Sequence, residues 1–301
     1  MLFGVIALAA CALACRSDHK VSPWIEDLRI DSIVPPPDLE QQLQRVDLEM
    51  TSEQMVRQHE LKGRFSDGTL FVIRSFVGQD PVRPASRHAL RVATGHGVIL
   101  ALGPAQTGGA TRPTRTELVA ALVDGGGWSS GSDLNGDACP DVIVRGEDHT
   151  IELWCLMPRG ASPYPVRSRI APDRAVDIDE DGRPELAGAV VLPGPDPIAP
   201  SILEVMSFQQ GAYRSDTEVV RAWHAREWDR LTAPPPDGGA LVSRGRELAT
   251  ALEVAWHGLR SGRGAEAIGA LDAIARERAP LPSGQAQAWV RWRGWLQDLP
   301  R

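Results

Sequence analysis

Lysine is almost missing from this 301-residue chain: Lys20 and Lys62 are the only two, and arginine carries the remaining side-chain positive charge. With a formal net charge of -7 and no basic run, the chain lacks the electrostatic footprint of a nucleic-acid binder. The seven histidines are scattered, with neither His-Glu-x-x-His nor Cys-x-x-Cys spacing nearby, so a zinc site is not indicated. There is no Gly-Lys-Ser/Thr loop to cradle a phosphate. The longest apolar run, Met1 to Ala14, is too short to span a bilayer. What remains is an ordinary 43% of apolar residues, enough to bury a core in a chain longer than one average domain.

That apolar start ends abruptly at Cys15-Arg16-Ser17-Asp18, as an export signal does. Leu8-Ala9-Ala10-Cys11 resembles a bacterial lipobox, and Ala12-Leu13-Ala14-Cys15 is a second match, so residues 1–15 read as a signal segment with lipidation at Cys11 or Cys15. Neither cysteine is followed by Asp, which by resemblance favours the outer membrane over the inner. Residues 16–37 then form a polar tether ending in Pro35-Pro36-Pro37, a semi-rigid spacer. Export leaves Cys139 and Cys155 as an even pair, able to form one disulfide worth about 3 kcal/mol in the chain-entropy model or to pack as two thiols.

Asp38 is the expected N-cap of a helix carrying Leu39, Leu43 and Val46, with a second short helix from Ser52. Strand texture is expected from Glu60: a hairpin about Ser66-Asp67-Gly68, and a second joining Ala89–Val92 to Gly97–Leu102. Thr114 and Glu117 have the spacing of a capping box for a helix over Leu118–Val123. After Tyr213 the strands stop, Asp216 caps a helix, and the rest reads as helical, with a helical hairpin turning near Gly262 and an aromatic face of Trp289, Trp292 and Trp295. The fold expected is α+β: an antiparallel β-meander or partial β-propeller over 38–213, followed by an α-helical region over 214–301.

Two acidic stretches stand inside the β region. Asp133, Asn135, Asp137 and Asp141 occupy positions 1, 3, 5 and 9 of the first, and Asp177, Asp179, Asp181 and Glu185 the same positions of the second, 44 residues on. A hard cation such as calcium takes six to eight oxygen ligands, and alternate residues of a curling chain can turn their side chains toward one point. Each stretch leads into an apolar strand, Asp141–Val144 or Glu185–Val191, and then a hairpin. Spacing and strands together resemble the FG-GAP or VCBS repeat family over residues 130–210. The resemblance implies structural calcium held by those eight side chains, with the Cys139 and Arg183 carbonyls completing the two turns. Ala138 and Glu185 depart from the family's Gly and Asp at their positions, so the first loop is expected to turn less well and the second to be the better site. An EF-hand is not matched, because loop position 12 is Val144 in one and Gly188 in the other.

Gly127-Trp128-Ser129-Ser130-Gly131 matches the nucleophile elbow of a serine hydrolase, but it runs from a Gly-rich stop into an acidic loop instead of from a strand into a helix. The function expected is therefore not enzymatic. The chain reads as an exported, lipid-anchored, calcium-binding envelope protein with a binding or scaffolding role, its partners the membrane and an envelope protein or glycan. The alternatives are an extracytoplasmic serine hydrolase using Ser129, and an envelope assembly factor that binds partners through an exposed tryptophan face on its helical tail.

Overall fold

The computed structural model describes residues 34–78, 88–103, 117–118, 129–146, 149–193, 201–233, 244–277 and 283–299. The signal segment with Cys11 and Cys15, and nearly all of the tether, lie outside the described residues. The chain begins with helix α1 (Pro37–Ser52), whose Leu39, Leu43, Val46 and Met50 recur at helical spacing and are all buried. Its N-cap is Pro36, not Asp38: Pro37 takes the first helical position, where a missing N–H costs nothing, and Asp38 falls in the first turn beside the positive end of the helix. No second helix follows Ser52. The chain turns through a positive φ of 56° at Gln54 and enters a strand five residues before Glu60.

Strands β1 (Met55–Arg64), β2 (Leu70–Gly78), β3 (His88–Thr94) and β4 (Gly97–Leu102) form an antiparallel meander. A second meander comprises β5 (Glu117–Leu118), β6 (Asp141–Arg145), β7 (Ile151–Met157) and β8 (Gly160–Pro163). Glu117 and Leu118 pair with Arg145 and Val144, so the expected capping box opens no helix there; 119–123 lie outside the described residues. Strands β9 (Val166–Arg167), β10 (Arg174–Val176), β11 (Glu185–Ala189), β12 (Leu203–Gln209) and β13 (Ala212–Arg214) make the third sheet, in the order β10-β11-β12-β13-β9, with only the β13–β9 pair parallel. The fold is mixed α+β, and no sheet closes on itself.

The three sheets stack. Val142 and Val144 of β6 pack with Leu156 against Phe71, Ile73, Leu90 and Val92 of the first sheet. Ile143 points the other way and joins Ile151 and Leu153 against Leu186, Met206 and Tyr213 of the third. An unbroken Val-Ile-Val run is what a strand covered on both faces requires. Helix α1 covers the outer face of the first sheet through Val72, Phe76, Ala89 and Ala93, and two buried arginines tie it down. Arg74 pairs with Asp47 at 2.9 Å and Glu60 at 2.7 Å, and Arg91 with Glu49 at 2.9 Å.

At the far end, Val190 and Ile202 pack into a core formed by α2 (Glu218–Thr232), α3 (Arg244–Arg260), α4 (Gly264–Glu277) and α5 (Ser283–Gln297). Helix α2 is capped by the Thr217 hydroxyl, which accepts the Val220 N–H, while Asp216 instead binds Arg214 at 2.9 Å. Gly258 lets the Trp228 ring lie against α3, since a Cβ there would come within 2.3 Å of that ring. Trp292 is 1% exposed and Trp295 stacks on Trp256 with centroids 5.4 Å apart, so this aromatic face is core. None of the described helices is long and apolar enough to cross a membrane.

Between α2 and α3 the fully buried His224 places Nδ1 2.9 Å from Nδ1 of His257, with the Trp223 ring against both. One neutral imidazole must donate to the other. Burial holds His224 well below its ordinary value and lowers His257 to about 4. Unfolding restores ordinary pKa values near 6.5, so the stability that depends on neutral rings is complete above that pH and is lost as pH falls toward 4. Glu185, raised to about 8 by burial, contributes in the opposite sense over part of this range, so the pair is isolated by difference. The stability of wild type relative to a His224→Gln/His257→Gln variant should fall by about 1.4 kcal/mol per histidine per pH unit below 6.5, measured by urea unfolding. A pH-independent difference would show that the rings are not held neutral.

Candidate functional site

Both acidic stretches fold into the same loop, held by four hydrogen bonds that recur position for position. The N–H at position 2 donates to the carboxylate at position 9: Leu134 to Asp141 Oδ2 at 2.9 Å, Ile178 to Glu185 Oε2 at 3.0 Å. The N–H at position 6 donates to position 1: Ala138 to Asp133 and Gly182 to Asp177, both 3.0 Å. Position 5 donates to position 3, Asp137 to Asn135 at 3.1 Å and Asp181 to Asp179 at 3.3 Å. Position 7 donates to position 5, Cys139 to Asp137 at 2.9 Å and Arg183 to Asp181 at 2.8 Å. Short acidic side chains favour such local bonds over helix or sheet, which is why these segments curl.

The backbone follows the same path in both. Positions 4 and 6 are left-handed in each loop: Gly136 at φ 79° and Ala138 at 69°, Glu180 at 62° and Gly182 at 86°. Ala138 was expected to give the first loop a different turn. It does not; each loop carries one glycine and one side-chain-bearing residue in the left-handed region, in swapped order. Gly136 has a second role, because a Cβ there would lie 2.3 Å from Cζ of Arg183, whose guanidinium reaches across from the second loop. The two loops are therefore neighbours, although 44 residues separate them in the chain.

The position-9 carboxylates open strands β6 and β11 and are buried, Asp141 at 0% exposure and Glu185 at 5%. Burial raises Asp141 well above the usual carboxylate range and Glu185 to about 8, and the neighbouring acids of each loop push the same way. In the second loop Asp177, Asp179 and Glu185 bring ligand oxygens within 4.8 Å of one another. Oxygens bound at 2.3–2.6 Å on opposite sides of a calcium ion are about 4.6–5.2 Å apart, so this spacing fits such an ion. Asp177 Oδ1 is buried there without a hydrogen-bond partner. Asp181 belongs to the loop but not to this tight group. Among the described residues the first loop offers no comparable group of acids.

Its acids are engaged instead by a residue that the sequence reading passed over. The Tyr164 hydroxyl lies 2.7 Å from Asp137 Oδ2 and 2.9 Å from Asp141 Oδ1. A phenol has one proton to donate, so satisfying both contacts requires a proton on one acid, and buried Asp141 is the one raised. Tyr213 is fully buried, its hydroxyl beside Asn135 and subject to the charges of Asp141 in one loop and Glu185 in the other. These are the only two tyrosines in the chain, and both close on the acidic loops, a signal that composition alone held.

Cys139 and Cys155 are free thiols that face each other, and burial pushes both upward, so neither is a ready nucleophile. Ser129 is buried with its Oγ 3.2 Å from Ser132 Oγ, and among the described residues no histidine hydrogen-bonds to it. Its neighbours serve the loop: Gly131 N–H donates to Asp141 O, Asp141 N–H to Ser132 O, and Ile143 N–H to Ser130 Oγ. Gly127 and Trp128 of the elbow motif lie outside the described residues.

If Ala138 is held left-handed by the loop, Ala138→Gly should stabilise the protein by up to about 1 kcal/mol, as relief of the αL penalty outweighs the extra freedom of the unfolded chain. Gly136→Ala, which meets Arg183, should do the reverse. Chemical denaturation of both variants without divalent ions is the measurement. Comparison with known protein families, with curated proteins and with solved structures finds no match to this chain.

Proposed function

We propose that the two loops are calcium sites that staple adjacent sheets of a non-enzymatic binding or scaffolding protein. The observation that carries this reading is the burial of Asp141 and Glu185 among like charges with no basic partner in hydrogen-bonding contact among the described residues. Buried carboxylates are costly unless paired or coordinated. The second ion would be held by Asp177, Asp179, Asp181, Glu185 and the Arg183 carbonyl. The first would be held by Asp133, Asn135, Asp137, Asp141 and the Cys139 carbonyl. A divalent cation supplies there the positive charge that lets three or four acids converge. Three stacked sheets, each containing a run of four antiparallel strands, with matching acidic loops leading into the second strand of two of them, support an FG-GAP-like partial propeller.

The lipobox-like sequences at Cys11 and Cys15 support export, a lipid anchor and an outer-membrane location, where calcium is plentiful and an envelope protein or glycan is the natural partner. The hydrolase alternative is disfavoured by the burial of Ser129, and the tail-binding alternative loses its exposed tryptophan face.

Calcium at about a hundredfold excess over its dissociation constant should stabilise the protein by about 2.7 kcal/mol per site, a rise of roughly 5–10 °C in melting temperature. EDTA should reverse it. Glu185→Gln should lose the second site's share of the shift, whereas Ser129→Ala should keep the whole of it and leave the protein as unreactive toward fluorophosphonates as wild type. An unchanged melting temperature in protein shown to start free of metal would falsify the calcium assignment.

A further inference from the structure

The two loops match in backbone and internal hydrogen bonds but not in what faces their acids. In the second, Asp177, Asp179 and Glu185 converge, and Asp177 Oδ1 has no partner. In the first, one hydroxyl lies within 3 Å of acids at positions 5 and 9. We propose that Tyr164 is a gate on the first loop: its hydroxyl joins Asp137 and Asp141 at the point where a cation would have to bind them, so the second loop fills first and the first only when the tyrosine withdraws. This rests on the calcium reading above and adds an order of filling to it.

Three features make Tyr164 a competitor more than a support. A side chain that orients a ligating carboxylate engages an oxygen the metal does not use, and acts on one ligand. Tyr164 instead spans two prospective ligands. Second, the gate is a side chain and not a stretch of backbone. Tyr164 follows the end of β8, is half-buried, and keeps its backbone N–H on Leu153 O at 2.9 Å, so its withdrawal requires rotation about the side-chain bonds and no change in β8. Third, the pocket beside it is polar. Asn135 and Tyr213 are both buried there, the Asn135 side chain interacts with both tyrosine hydroxyls, and the Tyr213 ring lies 6.2 Å from that of Tyr164. The Tyr164 ring also sets its edge against Phe208 of β12 at 5.1 Å, so withdrawal is felt in the sheet that the second loop opens.

The test uses the full chain and counts ions by equilibrium dialysis and calorimetry with calcium. Wild type should bind two ions with dissociation constants at least tenfold apart, and Glu185→Gln should remove the tighter one. Tyr164→Phe, which keeps the ring, should tighten the weaker site about tenfold or more, the scale of losing a hydrogen bond to a charged group. Because the chain has only two tyrosines, carbon-13 labelling at the tyrosine ζ carbon gives two resonances and needs no stable variant. One should move with the second equivalent of calcium, and be missing in Tyr164→Phe. A weaker or unchanged site in Tyr164→Phe, or a Tyr164 resonance that moves with the first equivalent or not at all, overturns the gate while leaving calcium binding intact. A wild type that binds no calcium overturns both readings.

Discussion

Everything between the two ends of the molecule depends on a carboxylate buried at the first residue of a strand. Asp141 and Glu185 each reach back seven residues to accept the N–H at position 2 of their own loop, and each begins the strand that carries its sheet. That bond closes the loop at the point where β6 and β11 start. The cost is a charge placed away from water among other charges, and the rise of both acids above the ordinary carboxylate range expresses it. A divalent cation relieves that cost directly; a proton and a tyrosine hydroxyl relieve it in part.

The rest of the architecture holds the two loops side by side. The second sheet is packed on both faces, by Phe71 and Ile73 on one side and by Leu186 and Tyr213 on the other, so β6 has little freedom to shift. Helix α1 and the α2–α5 group cover the outer faces of the stack and remove the exposed apolar surface that an open pile of sheets would leave. Arg183 over Gly136, and the Tyr164, Phe208 and Tyr213 rings, connect the loops across the space between sheets.

Much of this was legible in the chain. The unbroken apolar runs marked the strands, Ser66-Asp67-Gly68 marked a hairpin turn, and the 1-3-5-9 spacing marked both loops. The errors came where several local residues compete. Asp38 and Asp216 each have a capping side chain, yet the N-cap positions fall at Pro36, ahead of Pro37, and at Thr217. Thr114 and Glu117 have capping-box spacing, but Glu117 and Leu118 pair with β6, a partner 26 residues away that no local rule weighs. The tryptophans of α5, by contrast, have a spacing that usually marks core, and α3 packs against them through Trp256.

By itself the chain determined the composition of the two loops, their repeat and the strands they open, because these follow from spacing within ten residues and from chemistry that does not depend on neighbours. Only the tertiary structure decided that the loops lie against each other, that Asp141 and Glu185 are buried, and that Tyr164 bonds to acids of the first loop while among the described residues no hydroxyl does so in the second. Those facts depend on contacts between segments tens of residues apart, where burial strips water from a carboxylate and turns an ordinary acid into one that needs a cation, a proton or a hydroxyl beside it.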